Sequence, residues 1–258
     1  LGYELFALSD IYQSTILVKT NNNRFNYRLD DLDYNLYEGE YTDESYLRVV
    51  QNLDRFFYTY SSEYAELKVG RQPISFGSSR TINPLDILVP FGFTMVNMEQ
   101  RLGVDGLRLK YAFSDMGLID IGGVWDKEFQ ADEQYRYVSI QEKLGKVDLM
   151  LIYQTVKKHK VWGLDLQTDL WDWGVWLDYV YISPFKGDEF SKYTLGAQYL
   201  FQNDLTLFGE YHNSEDKAHV QDLGVFVLGR RYFNMGLSYL VNPLNSVSLT
   251  SIKNLEDD

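Results

Sequence analysis

The chain of 258 residues contains no cysteine, so it can form no disulfide, use no thiolate nucleophile and hold no cysteine-ligated metal. It also lacks an apolar stretch near the roughly 18 residues that a membrane-spanning helix needs. The longest candidate, Val89 to Val96, is far too short. Cations are scarce: with 24 Lys and Arg against 37 Asp and Glu, the net charge is −13. That balance argues against nucleic acid as a partner, because phosphate binding needs clustered cations.

Motifs for catalysis are also absent. The histidines, His159, His212 and His219, do not have the spacing of metal ligands, and no Gly-x-Ser-x-Gly elbow or phosphate-binding loop occurs. His212 and Ser214 are the one Ser–His combination that a strand would place on the same face, since residues i and i+2 point the same way. The sequence therefore predicts no enzyme, no metal and no cofactor, with a Ser–His hydrolase as an alternative.

What the sequence does contain is a repeated alternation of large apolar residues with small or polar ones, in runs of about ten residues separated by turns. A period of two indicates β-strands, because successive side chains point to opposite faces. The alternation is clearest at Trp173, Val175, Leu177, Tyr179 and Tyr181 and at Tyr193, Leu195, Ala197, Tyr199 and Phe201. Aromatic residues cluster near the ends of these runs, as they do at lipid–water boundaries.

This pattern predicts an all-β chain that forms a transmembrane antiparallel up-and-down β-barrel, with Leu177, Leu195 and Leu237 facing lipid. A soluble sandwich or a lipocalin-like barrel is the alternative, because its strands alternate in the same way. In the soluble fold the apolar face would point inward onto a packed core. The two hypotheses therefore differ in which face is buried.

About fifteen strands can be placed, out of about sixteen expected for the barrel. They are Gly2–Leu8, Tyr12–Lys19, Arg24–Glu38, Tyr46–Tyr60, Tyr64–Phe76, Met98–Phe113, Leu118–Lys127, Gln134–Lys143, Lys146–Val156, His159–Asp169, Asp172–Ile182, Phe190–Gln202, Leu205–Asn213, Val225–Val241 and Ser246–Asn254. Tight turns alternate with mostly longer loops, beginning with a loop at Gly39–Ser45, which predicts short turns on one rim and long loops on the other. The short Lys157-Lys158 connection on the long-loop side is an exception.

No linker or change in composition divides the chain, so residues 1–258 are expected to form a single β-barrel domain. An odd strand count would leave an open sheet edge in hydrocarbon, which membranes do not tolerate. We therefore expect at least one closing strand to be missing after Asp258 or to be supplied otherwise. The first residues have neither a basic nor an apolar region of an export signal, so we expect that signal to have been removed or to lie outside this sequence.

One segment is distinctive: Gly70-Arg71-Gln72, then Phe76-Gly77, then Asn83-Pro84-Leu85-Asp86. It resembles porin-like outer-membrane barrels of Gram-negative bacteria, in which a Gly-Arg-Gln strand ends in an aromatic-Gly pair and continues into an Asn-Pro-Leu-Asp loop. Phe76 stands where Trp is more usual. The segment from Ile252 to Asp258 is similar to the Asn-Leu-Asp-Asp segment that such barrels carry before their last hairpin. The resemblance implies a porin-like barrel whose loop after the Gly-Arg-Gln strand folds inward, and it does not identify the solute.

Charged and polar residues of this segment and of the non-apolar strand faces are the candidates for lining a pore or its constriction. They are Arg71, Gln72, Arg80, Arg108, Lys110, Asp165, Asp178, Lys192 and Glu210. Alternatives remain open from the sequence: Arg71 could pair with an acidic wall residue, the loop could be an extracellular flap, and the same charges could form salt bridges inside a filled barrel.

These observations favour a channel in the bacterial outer membrane for passive diffusion of small hydrophilic solutes, because about sixteen strands normally leave an aqueous passage. The expected partners are membrane lipid, lipopolysaccharide and the solutes, with a homo-oligomer or an envelope-complex partner as further possibilities. The alternative is a structural or assembly barrel of a cell-envelope complex, plugged or threaded by a partner protein.

Overall fold

Fourteen strands run through the part of the chain that the computed structural model describes, and all belong to one sheet. The described residues are 2–10, 33–42, 45–88, 103–125, 134–215, 229–242 and 245–256, with side chains from residue 55 onward. The strands are β1 Gly2–Asp10, β2 Asp33–Thr42, β3 Ser45–Ser61, β4 Ala65–Gln72, β5 Val104–Ala112, β6 Leu118–Val124, β7 Tyr135–Leu144, β8 Val147–Val156, β9 His159–Leu170, β10 Trp173–Ser183, β11 Phe190–Leu200, β12 Leu205–Ser214, β13 Arg231–Asn242 and β14 Asn245–Asn254. Within these ranges there is no helix long and apolar enough to cross a membrane.

From β3 to β14 every strand pairs antiparallel with the next strand in the chain. This is the up-and-down order that the alternation and the short turns predict, and it confirms the all-β fold class. The first part of β3 pairs with both β1 and β2, so β1 neighbours β3 rather than β2. The predicted strand Tyr12–Lys19 lies outside the described residues.

Two predicted boundaries are wrong. The strand predicted to run to Phe76 ends at Gln72, because the backbone at Gly70 already departs from strand geometry, with φ at 119°, and Pro73 has no N–H for the ladder. The loop predicted at Gly39–Ser45 is shorter than expected, since β2 continues to Thr42 and β3 begins at Ser45.

The connections from β3 onward fall on two rims. Those on the short-turn rim are residues 62–64, 113–117, 145–146, 171–172, 201–204 and 243–244, and those on the long-loop rim are 73–103, 125–134, 157–158, 184–189 and 215–230. The predicted separation is confirmed, including the exception between β8 and β9. Two residues suffice there because Lys157 adopts a left-handed conformation, with φ at 48°.

The two faces of the sheet carry the reverse of a soluble protein's polarity. Leu151, Leu195 and Leu249 are 52%, 53% and 70% exposed on the outer face. The inner face buries Gln154 and Asp178 completely. A soluble sandwich would turn these leucines onto its core, so the burial pattern contradicts that alternative and agrees with an apolar exterior around a polar interior.

Aromatic side chains form a belt at each edge of this apolar exterior. The outer-face aromatics near the short-turn rim are Tyr58, Tyr60, Tyr111, Trp173, Tyr199 and Tyr239, and those near the long-loop rim are Tyr153, Trp162, Tyr181, Tyr193, Tyr211 and Phe233. The eight residue steps from Trp173 to Tyr181 span about 27 Å along β10. With a strand tilt of about 40° this corresponds to about 20 Å along the barrel axis, close to the apolar height of outer-membrane barrels.

Arginine at the lipid-facing position 195 should impair insertion by about 2–4 kcal/mol, whereas arginine at Gln167 should be tolerated. Leu195 is exposed midway along β11, but Gln167 faces the interior cavity described below. The yield of folded Leu195→Arg and Gln167→Arg protein in phosphatidylcholine vesicles measures the difference.

Single cysteines at the same two positions provide the matched control, because the chain has no other cysteine. In vesicles a water-soluble maleimide should label position 167 and leave position 195 unlabelled. Equal labelling of both positions would contradict the assignment of the two faces.

Candidate functional site inside the barrel

Residues 73–88, which follow β4, fold into the interior and are called the inward segment. Its apolar side chains Ile74, Leu85 and Ile87 are at most 5% exposed and belong to one buried cluster with inner-face residues such as Val104 and Val180. The segment contacts every strand from β7 to β13, which requires those strands to curve around it. The inward fold implied by the sequence resemblance is thus present over these residues.

The bend of the inward segment depends on Gly77 and Asn83. Gly77 has φ at 86°, and a Cβ there would lie 2.6 Å from Asn83 Oδ1 and 3.0 Å from Asp178 Oδ2. The Asn83 amide closes the bend: its Nδ2 donates to the Phe76 carbonyl at 2.8 Å, and its Oδ1 accepts from the Leu85 N–H at 2.9 Å. An Asn side chain in such a turn replaces backbone hydrogen bonds that the loop cannot make itself.

Four consecutive backbone N–H groups of the inward segment donate to two carboxylates of the barrel wall. Ser78 and Ser79 donate to Asp178 on β10 at 3.1 and 2.7 Å. Arg80 and Thr81 donate to Glu210 on β12, at 2.6 and 2.9 Å. Consecutive N–H groups in a loop form an anion-binding concavity, so here the anions are two side chains of the protein itself.

Neighbouring wall residues complete this attachment. Asp165 on β9 accepts a hydrogen bond from Ser78 Oγ at 3.2 Å, and the Trp176 indole N–H donates to Glu210 at 3.1 Å. Asn234 Nδ2 on β13 donates to Thr81 Oγ1 at 2.8 Å. Three of the predicted site residues, Asp165, Asp178 and Glu210, therefore come together to hold the inward segment.

The part of the inward segment that follows Asn83 is held by close packing as well as by hydrogen bonds. Leu85 lies directly over Gly163 on β9, where a Cβ would be 2.2 Å from Leu85 Cδ2. The Leu85 carbonyl accepts from Gln154 Nε2 at 3.3 Å, and Gln154 in turn accepts from the Tyr135 hydroxyl at 2.6 Å. Any larger residue at 163 would push this end of the segment off the wall.

Arg80 differs from its neighbours because its side chain leaves the attachment and is exposed. The guanidinium lies 5.4 Å from the Trp176 ring centroid and 5.3 Å from that of Phe208, and it donates to Gln198 Oε1. Contacts with aromatic faces orient a guanidinium without neutralising it. Arg80 therefore holds a fixed positive charge beside the inner wall.

Arg71 and Gln72 lie at the end of β4 and are both buried. The Arg71 guanidinium pairs with Asp105 on β5 through two bonds, from Nε at 3.0 Å and from Nη2 at 2.9 Å. This geometry matches the alternative in which Arg71 pairs with an acidic wall residue. Gln72 Nε2 donates to the Gly106 carbonyl at 3.3 Å, so both side chains join β4 to β5.

The remaining predicted residues lie on other parts of the inner face. Arg108 on β5 pairs with Asp120 on β6, from Nε at 3.0 Å, and Asp120 also accepts from the Tyr137 hydroxyl at 2.9 Å. Lys110 is half-buried on the same strand, in register with both Glu66 and Asp120. Lys192 on β11 lies apart from this group, with its ammonium 5.5 Å from the Phe190 ring.

A cavity of about 380 Å³ lies between the inward segment and the short-turn rim. Its walls combine charged and apolar groups, including Phe76, Gly77, Arg108, Met150, Asp165 and Gln167. On the other side of the segment, towards the long-loop rim, the described interior is filled by the buried apolar cluster. This cavity therefore lies on the short-turn side of the inward segment.

Several residues of the attachment were not predicted from the sequence. Thr194 donates to the Ile82 carbonyl at 2.8 Å and bonds His212 Nδ1 at 2.8 Å, which commits that imidazole nitrogen to Thr194. The alternation of side chains along a strand places Thr194 and Asn234 on the inner face. That alternation alone does not distinguish them from other small polar residues. Among the described residues no group of His, Asp and Glu could hold a metal ion.

The fold described above is similar to that of solved porin barrels. Two mutants of the Rh. blastica porin match with TM-scores of 0.55, at 12% and 11% identity, over 84% and 85% of this chain and 82% and 83% of theirs. Pseudomonas aeruginosa OpdQ matches more distantly, with a TM-score of 0.41 and 9% identity over 76% of this chain and 74% of its own. No family model and no curated protein matches the chain.

Glu210→Gln should loosen the inward segment. The substitution replaces an acceptor oxygen with an NH₂ group that faces the N–H groups of Arg80 and Thr81, at a cost of about 1–3 kcal/mol for buried donors left unpaired. Since Arg80 is a trypsin site, limited trypsin digestion of the folded protein should cut after Arg80 faster in the variant.

Glu142→Gln is the matched control, because Glu142 also borders the cavity but bonds only to Ser114 Oγ, at 3.1 and 3.4 Å, in the described part of the chain. Unchanged cleavage after Arg80 in Glu210→Gln would contradict the role of this carboxylate.

Proposed function

We propose that this protein is an outer-membrane channel through which small hydrophilic solutes diffuse passively. The observation that carries the proposal is the inverted polarity of the barrel: an aliphatic exterior between two aromatic belts surrounds an interior lined by charged and amide side chains. A lipid environment accounts for such an exterior, because exposed leucines would be costly in water. A polar interior suits water-filled space.

The inward segment would narrow the passage in this channel. It is fixed to the inner face of β7 to β13, and the cavity beside it extends to Arg108 on β5. Arg80, Arg108, Lys110 and Lys192 are the predicted residues whose side chains are at least partly open to the interior, and we propose that they act on passing solutes. The other predicted residues would instead shape the constriction by holding the wall and the inward segment in place; they are Arg71, Gln72, Asp165, Asp178 and Glu210.

The proposed location is the bacterial outer membrane, with the long-loop rim facing outward and the short-turn rim facing the periplasm. Membrane lipid and small hydrophilic solutes are the partners that this function requires. Residues 1–258 would form one barrel domain.

One observation favours the alternative of a plugged structural barrel in an envelope complex. The apolar cluster of Ile74, Leu85, Ile87 and their wall neighbours fills the described interior near the long-loop rim. A closed interior would need no solute and could support a partner protein. Co-purification of a stoichiometric partner that survives detergent washing would favour this function over the channel.

Purified full-length protein in planar bilayers should give stepwise conductance. Steps are expected because each barrel that inserts adds one passage of fixed size. Protein that has folded, as judged by a β-rich circular dichroism spectrum and heat-modifiable gel mobility, but never conducts would refute the channel.

Arg80→Gln should lower the anion-to-cation permeability ratio by about tenfold, because the same charge attracts an anion and repels a cation. A unit charge about 6 Å from an ion in water contributes about 0.7 kcal/mol to its energy, and Arg80 is the charge fixed at the constriction. Reversal potentials in a salt gradient measure the ratio.

Arg80→Lys, which keeps the charge, should retain the original ratio, and Lys146→Gln, on the exposed short turn after β7, should leave it unchanged. A ratio that falls equally in Arg80→Gln and Lys146→Gln would show that Arg80 has no special position in the passage.

A further inference from the structure

The outer face near the long-loop rim contains a row of cationic and hydroxyl side chains on four adjacent strands. Arg136 on β7 is in register with Thr155 on β8, Thr155 with Lys160 on β9, and Lys160 with Ser183 on β10. We call these four residues the basic row. Arg136 and Lys160 are both exposed.

The basic row lies directly beyond the aromatic belt. Two positions closer to the membrane centre, the same four strands present another row of outward-facing residues: Val138, Tyr153, Trp162 and Tyr181. The rings of Tyr153 and Trp162 are 4.4 Å apart. Two residues correspond to about 7 Å along a strand. Aromatic belts lie at the level of lipid headgroups, so the basic row lies where the charged part of a lipid would be.

More cations gather above the row. The ammonium groups of Lys158 and Lys186 lie 5.3 and 5.9 Å from the ring of Phe185, which is 59% exposed. The Phe185 N–H donates to His159 Nδ1 at 3.2 Å, which ties the loop after β10 to the turn after β8. This short turn, the exception on the long-loop rim, leaves the row uncovered by a loop of its own.

The charge of this region contrasts with that of the whole chain. Between Asp148 and Asp165 there is no acidic residue, although the protein carries a net charge of −13. Within the described residues neither Arg136 nor Lys160 forms an ion pair, and the Arg136 guanidinium donates only to Gln134 Oε1, at 2.7 Å. A positive patch on an acidic protein indicates an anionic ligand.

A carboxylate among the described residues, Glu189, borders the row. Glu189 accepts from the Tyr181 hydroxyl and from Ser183 Oγ, and these hydrogen bonds hold the pKa of Glu189 below its usual value. Its charge is thus present at neutral pH, at the Ser183 end of the row. The cationic end, from Arg136 to Lys160, is the part open to an anion.

We propose that the basic row binds the phosphate-bearing headgroup of a lipid in the leaflet at the long-loop rim. The inference rests on the proposed function, because only a barrel in a membrane presents this row to lipid. Two strand spacings, about 10 Å, separate the backbones of Arg136 and Lys160. Both long side chains can therefore converge on one headgroup, while the acyl chains lie along the apolar exterior below Trp162.

The test compares diphosphoryl lipid A with the same lipid after dephosphorylation, each added to the folded full chain in neutral detergent and measured by native mass spectrometry. The unsubstituted protein should bind the phosphorylated lipid more tightly. Arg136→Gln/Lys160→Gln should lose about 25-fold in affinity, since each cation near a charged lipid surface contributes about fivefold. Lys160→Gln alone should lose about fivefold, which keeps the test valid if the double variant folds poorly.

The matched control is Lys146→Gln/Lys253→Gln, which removes the same charge from the short turn after β7 and from β14. It should change lipid affinity less than twofold. Equal affinity for the two lipids, or an equal loss in the control, would overturn the proposal. Displacement of the lipid by millimolar inorganic phosphate would show a free-anion site instead, and would equally overturn it.

The channel function and the lipid site can be refuted independently of each other. Conductance in phosphatidylcholine bilayers should be the same for Arg136→Gln/Lys160→Gln and the unsubstituted protein, because the row lies on the outer face. A protein that binds lipid as predicted but never conducts would refute the channel and leave the lipid site. A protein that conducts but binds the phosphorylated and dephosphorylated lipids equally would refute the lipid site and leave the channel.

Discussion

The interior of this barrel depends on how two buried carboxylates are solvated. Asp178 and Glu210 are at most 1% exposed, and an ionised carboxylate without partners would be too costly at such positions. Four backbone N–H groups, from Ser78 to Thr81, supply the missing hydrogen bonds. The dependence is mutual, because a loop inside a barrel has backbone donors that no strand can satisfy. Wall and segment therefore stabilise each other.

The same reasoning explains the local sequence of the inward segment. Four consecutive N–H groups can converge on the wall only if the chain turns sharply before them, and Gly77, with its positive φ and tight contacts, permits that turn. Asn83 then closes the bend and allows Leu85 to pack onto Gly163. Cross-strand pairs place a large ring over a glycine elsewhere on the inner face, as with Trp176 and Gly196, so the wall accommodates its bulky groups without displacing neighbouring strands.

Much of the fold follows from the sequence because a period of two is a local property. In each strand from Leu118 to Asn254 the alternation of apolar and polar residues indicates which side chains face inward and which face outward. Turn residues mark the ends of the strand. The errors arise where backbone geometry overrides side-chain pattern, as at Gln72, where a continuing alternation concealed the end of β4. The attachment of the inward segment is a different matter. Its partners are 87 to 153 positions apart in the chain, and no short-range pattern relates Ser79 to Asp178 or Arg80 to Glu210.

Parity correctly places charged residues on the inner face but does not distinguish a residue that meets solute from one that supports the wall. That distinction depends on partners. Asp178 and Glu210 are saturated by the inward segment, and the Arg71 guanidinium is bound by Asp105, so these charges create little field in the open space. Arg80 has the opposite arrangement: its backbone is tied to Glu210, while its guanidinium meets aromatic faces and an amide. Arg80 thus attaches the inward segment through its backbone while its guanidinium stays at the inner wall without a direct bond to a carboxylate among the described residues.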